Sequence, residues 1–121
     1  MSTHKCDALV VSCIDFRFQR YIHKWLDKNF KNKAFDYVGF AGATKNLQII
    51  LWQLDISVRL HKIKEVILIH HEDCGAYGKE STRKNHTRDL KKAKRSINKL
   101  YPRLMVILYY LQLNGKFEKI N

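Results

Sequence analysis

Proline is almost missing from this chain. Pro102 is the single one in 121 residues, and glycine is held to five. No linker, low-complexity segment or internal repeat can be found, so one domain covering residues 1–121 is expected. Cysteine is scarce and odd in number, at three. The opening residues MSTHKCDALVVSC contain no long apolar stretch followed by a small-residue cleavage site, so no signal peptide is read and a cytoplasmic location is expected. An odd cysteine count in that setting argues against a disulfide framework and for reduced thiols or metal ligands. No apolar run approaches the roughly 18 residues a membrane helix needs. Acidic residues are also few, 11 against 23 Lys and Arg, which leaves a net charge of +12.

That charge is unevenly placed. Residues 79–103 hold ten Lys/Arg and two acids, a local excess of +8. Such a segment invites an acidic partner. Few aromatic side chains lie among the charges to stack bases, so a solvated helix face is expected rather than a nucleic-acid site.

What the chain does possess is a regular alternation of two periodicities. Ala8 to Ser12 reads as a short buried strand. From Phe16 to Phe30 the residues Phe18, Ile22, Trp25, Leu26 and Phe30 recur at helical spacing. Phe35 to Phe40 is a second strand, followed by a small, tight turn at Gly39, Ala41, Gly42 and Ala43. Thr44 is placed to cap a helix over about residues 45–61. That helix is apolar nearly all round, with Trp52, Ile56 and Leu60 off its main face, which suits either a subunit interface or a well-buried central helix. Val66-Ile67-Leu68-Ile69 is a continuous apolar run of the kind a parallel strand covered on both faces requires. Thr87 is placed to cap a helix to about Leu100, with Leu90, Ala93, Ile97 and Leu100 facing inward. Leu104 to Leu111 is a further strand, Asn114-Gly115 a hairpin turn, and 116–120 a short edge strand. This is the pattern of an α/β domain with a mainly parallel open sheet, strand order 2-1-3-4 plus the edge strand, flanked by helices.

The chemistry gathers at two strand ends. Cys13 ends the first strand; His71 and Cys74 end the third. In a doubly wound sheet where those strands are neighbours, the three side chains meet at the carboxyl end. Two thiolates and an imidazole suit Zn²⁺, and three protein ligands leave a fourth position open. Zinc there would bring the pKa of a bound water toward about 7. Asp15 stands two residues past Cys13 and can accept a proton from that water or bind the metal itself. Arg17 can hold Asp15 by a bidentate pair and keep it ionised. Cys13 as a phosphatase nucleophile is excluded, because the residue six further on is Gln19 rather than arginine.

His70 points to the sheet face opposite His71 and is assigned packing or support. Glu72 and Asp73 are read as capping the turn or supporting His71. Cys6 is read as a surface or half-buried thiol, and His4, His23, His61 and His86 as solvated.

Cys13-Ile14-Asp15-Phe16-Arg17 and His71-Glu72-Asp73-Cys74-Gly75 resemble the paired C-x-D-x-R and H-x-x-C-G motifs of the β-class carbonic anhydrases. Ala41-Gly42 falls where that family has its R-N-A-G turn, and the tail resembles its closing strand and hairpin. The resemblance implies Zn²⁺ on Cys13, His71 and Cys74, an Asp15–Arg17 dyad, and reversible hydration of CO₂ to bicarbonate. It also implies a homodimer or higher homo-oligomer. Phe40, Ala41, Gly42 and Gly75 are the expected substrate pocket. Two features depart from the family. Gly39-Phe40 stands in place of the R-N pair, and the N-terminal helical arm of typical members is not among these 121 residues. Relatives that hydrolyse COS or CS₂ with the same metal keep that chemistry open. So does a zinc-stabilised protein that binds a polyanion through its basic helix.

Overall fold

The computed structural model describes residues 4–121. Its five strands are β1 (Ala8–Ser12), β2 (Phe35–Gly39), β3 (Glu65–His71), β4 (Met105–Leu111) and β5 (Phe117–Ile120). Three helices lie between them: α1 (Gln19–Asn29), α2 (Leu47–His61) and α3 (Arg83–Leu100). The strands form one sheet in the order β2-β1-β3-β4-β5. All pairs are parallel except β4–β5, which the turn at Asn114-Gly115 makes antiparallel. This is the strand order the alternation predicted.

Two apolar layers sandwich the sheet. Leu9, Val11, Val66 and Leu68 meet Ile50 and Leu54 of α2 and Leu90, Ala93 and Ile97 of α3. Ala8, Val10, Ile67 and Ile69 meet Phe18, Ile22 and Leu26 on the α1 side. Successive residues of a strand point to opposite faces, so the stretches 8–11 of β1 and 66–69 of β3, covered on both faces, are apolar at every position. β2 is added on one side of β1 and β3 on the other, and at this switch point the carboxyl ends of β1 and β3 open into a crevice.

Several boundaries differ from the sequence-based expectation. α3 begins at Arg83, one turn earlier than the Thr87 start, and its cap is Thr82, whose hydroxyl oxygen accepts from Asn85 N–H at 3.1 Å. Thr87 lies within the helix instead. The hydroxyl of Thr44 does not cap α2, which begins at Leu47 with Asn46 before it; it is taken by the His70 ring at 2.6 Å. Phe16–Phe18 forms a 3₁₀ turn ahead of α1. Leu100, expected inside, is 58% exposed because the helix ends there and the chain turns away. Trp52 and Leu60 of α2 are exposed as well.

Candidate metal centre

Cys13 is the first residue past β1, His71 the last of β3, and Cys74 sits in the turn that follows. Asp73 tightens that turn with a left-handed φ of 56°. One sulfur or nitrogen from each lies within 4.8 Å of the others. All three side chains are buried. The His71 ring packs 4.1 Å from the Phe18 ring, and its Nδ1–H donates to the Glu72 carbonyl at 2.7 Å. That bond commits the proton to Nδ1 and leaves Nε2 with a bare lone pair. Nε2 is a buried polar atom with no hydrogen-bond partner. Such an atom is costly unless something binds it.

The two sulfurs lie close enough to influence each other's protonation. The neighbouring Cys74 thiol and the Gly42 N–H, 3.4 Å from the sulfur, favour the Cys13 thiolate against the opposing effect of burial. That thiolate in turn pushes the Cys74 thiol far up. Burial would lower the His71 imidazole, but the Cys13 thiolate and the Glu72 carbonyl outweigh it and leave it raised. A cation among the three donors would favour both thiolates, as coordination deprotonates a thiol outright. The set can therefore hold a metal ion.

Asp15 faces this group from the 3₁₀ turn it caps. Its Oδ2 lies 3.9 Å from His71 Nε2. Arg17 donates to both carboxylate oxygens, with Nη2 2.7 Å from Oδ2 and Nε 3.1 Å from Oδ1. This pairing holds Asp15 below the usual carboxylate range. The sequence reading did not foresee that Arg17 has two further partners. Its Nη1 donates to Asp73 Oδ2 at 3.0 Å and its Nη2 to the Asp73 carbonyl at 2.8 Å. The two motifs, far apart in the chain, are thus tied together by one guanidinium.

A cavity of ≈ 570 Å³ opens beside the group, bounded by Cys13, Asp15, Arg17, Ala41, Asp73 and Gly75. The exposed side chains of Ile14 and Phe16 form its rim. Of the expected pocket residues, Ala41 and Gly75 line it. Gly42 contributes its backbone N–H to the Cys13 sulfur, and Phe40 packs toward the α2–α3 core. Gly42 has φ 81°, and a Cβ there would stand 3.1 Å from Lys45 and 3.2 Å from Ala76. Glycine is thus required for both the turn and the close approach. A slightly larger cavity, ≈ 630 Å³ between α2 and the α3–β4 connection, is walled by Val58, Leu100, Tyr101 and Met105 and holds no donor cluster.

Behind the group lies a buried polar chain. Cys74 N–H donates to Ser81 Oγ at 2.8 Å, and Ser81 Oγ meets His86 Nε2 at 2.9 Å. His86 Nδ1 meets His70 Nδ1 at 2.8 Å, and His70 Nε2 reaches Thr44 Oγ1. Burial drives His70 down to about 3 and His86 down to about 4. One proton per ring satisfies the chain. His70 thus supports the turn from the opposite face of β3. His86 is fully buried rather than solvated, because the earlier start of α3 turns it inward.

With this geometry in place, comparison with known proteins is informative. The model of a family described as "Putative carbonic anhydrase" matches residues 3–121. The chain belongs to this carbonic anhydrase family, as a divergent member. An uncharacterised protein of Rickettsia bellii is 29% identical over 97% of this chain and 83% of its own length. Among solved structures, the carbonic anhydrase of Glaciozyma antarctica superposes with a TM-score of 0.73 at 19% identity, covering 100% of this chain and 85% of that one. That of Streptococcus mutans gives 0.70 at 14%, covering 98% and 84%. Tetrameric β-carbonic anhydrases of Sordaria macrospora give 0.59 at 11%, covering 98% and 82%. The α/β sheet of this family member is the β-carbonic anhydrase fold.

Proposed function

We propose that this carbonic anhydrase family member catalyses the reversible hydration of CO₂ to bicarbonate, with Zn²⁺ held by Cys13, His71 and Cys74. The observation that carries this reading is the convergence of two sulfurs and an unpartnered imidazole nitrogen beside an arginine-held carboxylate. The donors fit the metal: sulfur, sulfur and nitrogen suit zinc, and three of them leave one position open. Bound there, zinc would act as a Lewis acid that brings a water's pKa toward about 7.

Asp15 is the carboxylate placed to accept a proton at the site. Arg17 keeps it ionised and turned along the cavity wall, and Asp73 shares in fixing that arginine. Ala41, Gly75 and the apolar rim of Ile14 and Phe16 give a small, weakly polar approach, suited to an uncharged gas molecule. The exposed Trp52 and Leu60 on α2 support assembly into a homodimer or higher homo-oligomer.

Metal analysis combined with stopped-flow CO₂ hydration tests this reading. The zinc-loaded protein is expected to carry at least one zinc per chain and to exceed the buffer rate between pH 7 and 9. No rate above buffer across that range would refute the activity. Sulfide release from COS or CS₂ by the same preparation would move the substrate to the sulfur analogues.

A further inference from the structure

The end of the sheet opposite the Cys13 group holds a second cluster of ligating side chains. Cys6 precedes β1 by two residues, Asp36 is the second residue of β2, and His61 closes α2. One sulfur, oxygen or nitrogen from each lies within 4.8 Å of the others. We propose that Cys6, Asp36 and His61 form a second metal site for a borderline divalent cation such as Zn²⁺, clamping the segment before β1 to β2 and α2.

Four observations carry it. Asp36 is held in place, because its Oδ2 accepts from Ser57 Oγ at 2.6 Å and from His61 Nδ1 at 2.7 Å. The backbone fixes Cys6 against His61, since Cys6 N–H donates to the His61 carbonyl at 2.9 Å. The ring of His4 packs against that of His61, with centroids 4.7 Å apart, and so backs the imidazole of the group. A cavity of ≈ 210 Å³ beside Asp36, Ser57 and His61 gives an ion a way in.

The donor chemistry selects the ion. A thiolate, a carboxylate and a neutral imidazole together neutralise a divalent charge, and the sulfur disfavours Mg²⁺ and Ca²⁺. Asp36 is already ionised: burial opposes its charge, but Ser57 and His61 overcome that and hold its pKa low. A cation would displace the proton of the Cys6 thiol and take a lone pair from neutral His61 and from the Asp36 carboxylate. This site stands apart from the proposed hydration of CO₂, whose groups lie at the other end of β1.

Equilibrium dialysis of the chelator-treated full chain against Zn²⁺, with elemental analysis, tests it. Wild type is expected to hold two zinc ions per chain. Cys6→Ser and Asp36→Asn should each lose one, while Cys13→Ser should lose the other. A wild type whose zinc content is unchanged by Cys6→Ser overturns the proposal whatever happens at Cys13. Should a variant fail to fold, alkylation of Cys6 in wild type, followed by peptide mass, decides the matter. Zinc is expected to slow that alkylation at least tenfold, and an unchanged rate overturns the site.

Discussion

At the scale of single residues, the candidate centre is governed by who holds which proton. The Glu72 carbonyl accepts a hydrogen bond from His71 Nδ1–H, which leaves Nε2 bare. Arg17 holds Asp15 ionised. Asp15→Asn keeps the shape and the arginine contact through one oxygen but removes the proposed base. CO₂ hydration should fall by about 10²-fold or more, with zinc content unchanged. Stopped-flow rates beside metal analysis check this, and an undiminished rate would remove Asp15 from the proposed proton role. The residue scale also carries a pH dependence. His86 titrates near 6.5 when unfolded and at about 4 in the fold. The unfolded chain therefore binds more protons between those values, and stability falls as pH drops from 6.5 toward 4. Urea midpoints measured across that range should decline, and decline less steeply in His86→Asn. Equal slopes would show that His86 does not titrate with folding.

At the scale of elements, the basic helix α3 separates what propensity says from what contacts decide. Thr82 and Thr87 are both plausible caps by residue type. Only the Thr82 hydroxyl accepts from a first-turn N–H, that of Asn85, while Thr87 lies a turn inside with its hydroxyl unpartnered. Thr82→Ala should cost about 1 kcal/mol, and Thr87→Ala much less, by chemical denaturation. A larger loss at Thr87 would contradict the assigned helix start. The strands were legible because a parallel strand covered on both faces must be apolar throughout, as in Val66 to Ile69. The helix starts were less so, because three threonines, Thr44, Thr82 and Thr87, offer the same hydroxyl, and local pattern does not say which hydroxyl another element claims. His70 claims that of Thr44.

At the scale of the whole molecule, charge and exposed apolar surface set what the protein meets. The net charge of +12 is carried largely by solvent-facing residues of α3, including Lys91, Lys94 and Arg95. Trp52 on α2 is 64% exposed, a large apolar side chain on a face no described residue covers. If the proposed homo-oligomer forms through this face, wild type should sediment as an oligomer and Trp52→Glu as a monomer, read by sedimentation or light scattering. A variant that sediments like wild type would place the interface elsewhere.

The chain alone determined the architecture and which three residues, Cys13, His71 and Cys74, gather at the strand ends. Period-2 and period-3.6 patterning fixes which segments are strands or helices, and ligating side chains at two strand ends must converge once β1 and β3 pair. The three-dimensional packing alone decided the partners of those donors. The Asp73–Arg17 bond, the Gly42 N–H on the Cys13 sulfur and the Ser81–His86–His70 chain join residues 16 to 56 positions apart or on different elements. So does the Cys6–Asp36–His61 group at the other end of the sheet. Hydrogen bonds and coordination depend on distance and direction in space, and residue order carries neither until the helices dock on the sheet.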